Sequence, residues 1–112
     1  ISNSNDLKEK KVSYKNYKWI FIFNNNEIDK LNTFYFKIKK MLIDSKVQWT
    51  LSKDFYDFEN SLIVIHGIKD KKEKDKWISS RIEETKFIME SNNFVALVSD
   101  YRNMIKNKIS LN

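Results

Sequence analysis

His66 is the only histidine of the 112-residue chain, and the chain has no cysteine. Metal centres and thiolate nucleophiles draw on clusters of such residues. The chemistry-bearing residues therefore reduce to His66, scattered carboxylates and lysines. Asp54, Asp57 and Glu59 fall in what reads as a hairpin turn, where solvated acids are common. Acid–base work needs two carboxylates in opposed, partly buried environments, and this spacing does not supply them. His66 lies in the apolar run 61–68 with no second His or Cys beside it. It reads as a hydrogen-bonded structural residue. The expectation is no catalytic residue, no metal ligand and no cofactor.

The run 61–68, Ser-Leu-Ile-Val-Ile-His-Gly-Ile, is the most continuous aliphatic stretch and reads as a strand buried on both faces. The rest of the chain arranges itself around it. Residues 17–23 are apolar on both faces past Lys18 and predict a first, central strand. Asn24 with Glu27 has capping-box spacing. A helix to about Asp44 follows, carried by Ile28, Leu31, Tyr35, Ile38 and Leu42. Residues 47–55 alternate, with Gln48, Thr50, Ser52 and Asp54 on a polar face, which predicts a half-exposed edge strand. Asp70 with Glu73 caps a second helix. Trp77, Ile78, Ile82, Thr85 and Met89 form its buried stripe, and the helix ends at 91–93. Residues 94–99 predict a fourth strand, and 100–112 either a short helix or a marginal extra strand.

The resulting order β-α-β-β-α-β predicts an α+β domain over residues 15–112, after a polar tail or linker at 1–14. Right-handed crossovers make it ferredoxin-like: a four-stranded antiparallel sheet in the order 4-1-3-2, with two helices on one face. Functions hosted by that fold need their own sites. A metallochaperone would carry paired cysteines in the first loop, an acylphosphatase-like site an arginine, and a regulatory amino-acid-binding domain a glycine. Here the loop is Asn24-Asn25-Asn26. RNA recognition through the sheet needs stacking aromatics on both central strands. The first offers Trp19 and Phe21, the third none, so those aromatics are expected to pack under the helices or under an attached domain.

The net charge is +6, from 21 basic and 15 acidic residues. Of the basic residues only Arg81 and Arg102 are arginine, so the bidentate donor that nucleic-acid readers favour is scarce. The run 69–76 mixes signs and reads as a solvated helix start. No stretch reaches the roughly 18 apolar residues of a membrane span. The chain opens on Ile1, which leads to the expectation of a processed, truncated or longer chain. Protein docking is expected through an exposed sheet face, the edge strand or the basic helix faces. The candidate interaction residues are Lys46, Gln48, Thr50, Ser52, Lys71, Lys72 and Lys74.

Three segments together resemble the small C-terminal βαββαβ domain of the tetratricopeptide-repeat lipoprotein family of the Bacteroidetes type IX secretion and gliding-motility machinery. They are the strand and Asn-rich loop at 19–32, Leu-Ile-Val-Ile-His-Gly-Ile with its charged helix start at 62–77, and the strand ending in Ser99 before Asp-Tyr-Arg-Asn-Met at 93–108. The chain departs from that family in lacking a helical-repeat array and a lipoprotein cysteine, and in the heavier charge of its second helix start. The resemblance implies a non-catalytic subunit of a large hetero-oligomeric envelope complex, periplasmic or outer-membrane-associated, and carries over no active-site residue. The alternatives are a basic, ribosome-type RNA-associated subunit, a small-ligand-sensing domain and a cytoplasmic location.

Overall fold

Successive apolar residues on a strand leave neither side fit for water, and two strands of this chain are built that way. The computed structural model describes residues 16–107. The expected tail at 1–14 lies outside the described residues, as do Ile109 and Leu111. The elements in chain order are β1 (Tyr17–Asn24), α1 (Ile28–Ser45), β2 (Thr50–Phe55), β3 (Asn60–Ile68), α2 (Lys71–Ser79), α3 (Lys86–Met89), β4 (Asn93–Leu97) and α4 (Val98–Asn107). The four strands form one antiparallel sheet in the order β2-β3-β1-β4. That is the expected 4-1-3-2 read from the other edge, with β1 and β3 in the centre.

The register places Ile20 opposite Val64 and Phe21 opposite Ile63, and β4 sets Val95 opposite Trp19. Alternate residues therefore feed two separate cores. Trp19, Phe21, Ile63 and Ile65 pack with Leu31, Phe34, Ile38 and Leu42 of α1, Trp77 of α2 and Ile88 of α3. Ile20, Leu62 and Val64 pack with Tyr56 and with Tyr101 and Met104 of α4. Four helices are present among the described residues. The second expected helix is split in two, and the run left open as helix or strand is helical. α4 starts at Val98 and so cuts the expected strand 94–99 short at Leu97. The added cover is α4, so the expected open sheet face is instead part of a second core. Neither α4 nor any other described helix is long and apolar enough to cross a membrane.

The strand pairing is irregular at one place. Tyr17 pairs with Ile68 and Trp19 with Ile65, so Lys18 alone opposes His66 and Gly67. This is a β-bulge on β3. Gly67 supplies the left-handed backbone it needs, with φ of +92°. The extra residue resets the alternation, so Ile65 and Ile68 both enter the first core although three positions apart.

Elsewhere the local chemistry moves element boundaries. Asn24 does not cap α1: its Oδ1 accepts from the Asn26 amide at 3.0 Å, and Glu27 occupies the cap without a side-chain bond. Phe34, not Tyr35, is the core residue of that turn, and Ile28 is exposed. α1 stops at Lys46, whose φ of +58° is left-handed. The Asp70 cap is present, accepting from the Glu73 amide at 2.8 Å. The single second helix is broken into α2 and α3. Ser79 and Ser80 turn their hydroxyls back onto the Asp75 and Lys76 carbonyls, each at 2.8 Å, and Thr85 does the same to Arg81 at 2.8 Å. Such bonds compete with the helix ladder and bend or end it. The break shifts the phase: Ile82 and Met89, expected in the stripe, point into solvent, and Ile88 takes the core position. β2 begins at Thr50, not at Val47.

Ile65 is fully buried and Ile82 is 63% exposed. Ile65→Ala should therefore cost about 2–5 kcal/mol, and Ile82→Ala less than about 0.5 kcal/mol. Urea unfolding of both variants measures this, and comparable losses would contradict the broken-helix phase.

Candidate functional site

The bulge aims His66 at the α4 side of the sheet, next to the one charged residue of β1. Lys18 Nζ lies 2.6 Å from His66 Nδ1. His66 Nε2 lies 2.7 Å from Ser52 Oγ. Ser52 Oγ donates to Asp54 Oδ2 at 3.3 Å, and Tyr101 of α4 donates to the same oxygen at 3.0 Å. An ammonium has donors only, so Nδ1 accepts and Nε2 carries the proton of a neutral imidazole. Each polar group then has a partner, in a directional chain from the Lys18 cation to the Asp54 anion. The chain joins β1, β3, β2 and α4. The Lys18 ammonium also stands 5.6 Å over the Tyr101 ring.

The electrostatics follow from this half-buried setting. Burial first, then the Lys18 charge, hold the His66 pKa below its ordinary value, while Asp54 pulls it back up. Lys18 is itself lowered, by burial and then by Arg102, against Asp54. Burial, then the charge and hydrogen bond of Asp54, push the Tyr101 hydroxyl well above its ordinary value.

A serine nucleophile needs a basic Nε2 facing its hydroxyl and an acid holding Nδ1. Here the ammonium holds Nδ1, Nε2 carries a proton, and the carboxylate takes the serine's own hydrogen. As arranged, the imidazole cannot receive the Ser52 proton, and that hydrogen is directed to Asp54 Oδ2 instead. The cluster works as a tie between the sheet and α4, joined by Tyr56 Oη donating to the Met104 carbonyl at 3.3 Å. Asp54 thus leaves the expected turn acids. Asp57 closes the hairpin turn by accepting from the Glu59 and Asn60 amides at 2.9 and 2.7 Å. Asn25 binds that turn to the first loop through the Asp57 carbonyl at 2.8 Å.

The candidate interaction residues do not form one surface. Lys46 and Gln48 are exposed on the chain leading to β2, and Thr50 is exposed on β2. Ser52 is turned inward, into the network. Lys71 and Lys72 are exposed at the start of α2. Lys74 folds back, 5.1 Å over the Trp19 ring and 3.7 Å from Asp75. Lys18 and Tyr101 were not among the candidates. The available signal was Lys18 itself, the lone charge in an apolar strand.

Comparison with protein-family models, curated proteins and solved structures finds no match.

In the folded chain His66 resists protonation relative to its ordinary value of 6.5. The unfolded chain therefore takes up the proton first as acid is added. Stability carried by neutral His66 is complete above about pH 6.5 and is lost as the pH falls through that value toward the depressed folded pKa. Urea midpoints at about pH 7.5 and pH 5.5 should differ by more in the wild type than in His66→Gln. Equal differences would remove His66 from the acid sensitivity.

Proposed function

We propose that the chain is a non-catalytic protein-interaction domain that takes its partner along the β2 side of the sheet. The supporting observation is a contrast: the cluster with catalytic residue types is satisfied internally, while β2 offers an unpaired edge. No described strand lies on its outer side. Unpaired edges accept an incoming extended segment. Lys53, whose charged side chain would otherwise guard this edge, is drawn back onto α1, with Nζ 3.4 Å from Asn32 Oδ1 and 4.7 Å over the Tyr35 ring. At the far end of the edge, Phe55 is 69% and Phe58 97% exposed. Exposed aromatics of this kind are suited to anchor a partner.

The β-α-β-β-α-β order with β1 and β3 central supports a ferredoxin-like reading of the fold, to which α4 is an addition. Placement in a cell-envelope assembly, periplasmic or outer-membrane-associated and within type IX secretion or gliding motility, belongs to the same proposal and rests on the resemblance of the three segments. The RNA-associated alternative draws no support from the sheet surface, since Trp19 and Phe21 are buried under the helices and offer no face for a base.

Affinity capture from the native cell at about 150 mM salt, read by mass spectrometry, tests the proposal. The variant Phe55→Ser/Phe58→Ser should lose roughly tenfold or more of the captured partner while its Tm stays within about 2 °C. Equal capture of the same partner by the variant would refute the reading.

A further inference from the structure

A groove of about 550 Å³ opens where the chain enters β2. One wall is Val47-Gln48-Trp49, and the other is α2 with the turn that follows it. Lys69, Lys76 and Arg81 line it against one carboxylate, Glu73. That carboxylate is already engaged: its Oε1 accepts from the Trp49 indole at 2.8 Å and from the Lys69 amide at 3.2 Å. The ion pairs found among the described residues belong to Lys30, Lys74 and Lys86, so Lys69, Lys76 and Arg81 enter none of them. Arg81 is held over the Trp77 ring, 5.2 Å from its centroid, and gives one amino group to the Trp77 carbonyl at 3.1 Å. Its remaining donors form a preset fork suited to a carboxylate.

We infer that this groove receives an acidic, carboxylate-bearing peptide segment. The inference rests on the interaction reading above and names the chemistry of the partner. Three observations select this occupant. The first is charge complementarity: three cations surround one carboxylate whose Oε1 is already engaged. The second is the state of the two indoles in the wall. Trp49 and Trp77 are 7% and 4% exposed, and both N–H groups are taken, by Glu73 and Ser45. A nucleic acid base finds no open aromatic face here to stack on. Glu73 also disfavours a phosphate, which carries nearly two charges, more than a singly charged carboxylate. The third is continuity. The Val47-Gln48-Trp49 wall runs directly into Thr50, the first residue of β2, so the groove adjoins the strand proposed above as the interaction site.

The full chain can be titrated with N-acetylated, C-amidated hexaglutamate, with inorganic phosphate and with oligouridylate. The indole N–H signals of Trp49 and Trp77 report on the groove, and that of Trp19 serves as the comparison. Hexaglutamate should move the first two most, with an affinity that falls as salt is added. Lys76→Gln and Arg81→Gln should each weaken it about three- to tenfold. Lys39→Gln and Lys40→Gln, on exposed positions of α1, should change it less than about twofold. Lys76 is exposed, so its variant keeps the test valid if the Arg81 change disturbs the fold. Equal weakening by the α1 variants, tighter binding of phosphate or oligouridylate, or unmoved indole signals would each overturn the inference. Such a result with partner capture intact would remove the groove and leave the edge-strand reading standing. Failed capture with hexaglutamate binding intact would do the reverse.

Discussion

Two neighbouring strands with no side fit for water govern this molecule. Trp19, Ile20 and Phe21 follow one another on β1, Leu62 to Ile65 on β3, and all are fully buried. Each alternate set must be covered from its own direction, since apolar area left in water costs about 25 cal/mol per Å². α1, α2 and α3 meet one set, and α4 meets the other. The edge strands carry less of this constraint. β2 is exposed or half-buried along its whole length, and β4 is half-buried.

The polar network exists because polar groups on three strands share the side of the sheet that α4 covers. Lys18, His66 and the Ser52–Asp54 pair all lie on the α4 side, and a partly buried polar group without a partner is costly. The chain meets that cost by giving each of these groups at least one hydrogen-bond partner. The bulge at Gly67 is what brings the imidazole within reach of both neighbours. A single backbone irregularity thus sets the register of one core and the wiring of the polar cluster beside the other.

Much of this could be read in the residues. The central placement of β1 and β3 follows from their two-sided apolarity, and the cap at Asp70 from its spacing to Glu73. The bulge was not readable. A lone glycine after a histidine serves equally to let a strand leave the sheet, and only the pairing of Tyr17 with Ile68 tells the two apart. The split of the second helix turned on hydroxyls bonding backward at Ser79, Ser80 and Thr85, a choice that periodicity does not weigh. Ser52 and Asp54 looked solvent-facing because their face is covered by α4, an element the ambiguous run 100–112 left undecided. The charged run 69–76 read as a solvated helix start because its sequence does not show what α2 packs beside. Which of its cations lines a groove depends on how α2 sits against the approach to β2.

α4 follows β4 without a connecting loop, and its first amide, that of Val98, donates to the Asn16 carbonyl at 3.1 Å. In order of synthesis it is the last described element to emerge, at some 5–20 residues per second. β2, β3 and β1 can pair with one another before β4 arrives, and β4 completes the sheet at the β1 edge. A nascent chain held at that stage has one sheet face covered and the other bare, with Ile20, Leu62 and Val64 open to water. The interval between completing the sheet and laying down α4 therefore leaves one intact apolar face for a chaperone to hold.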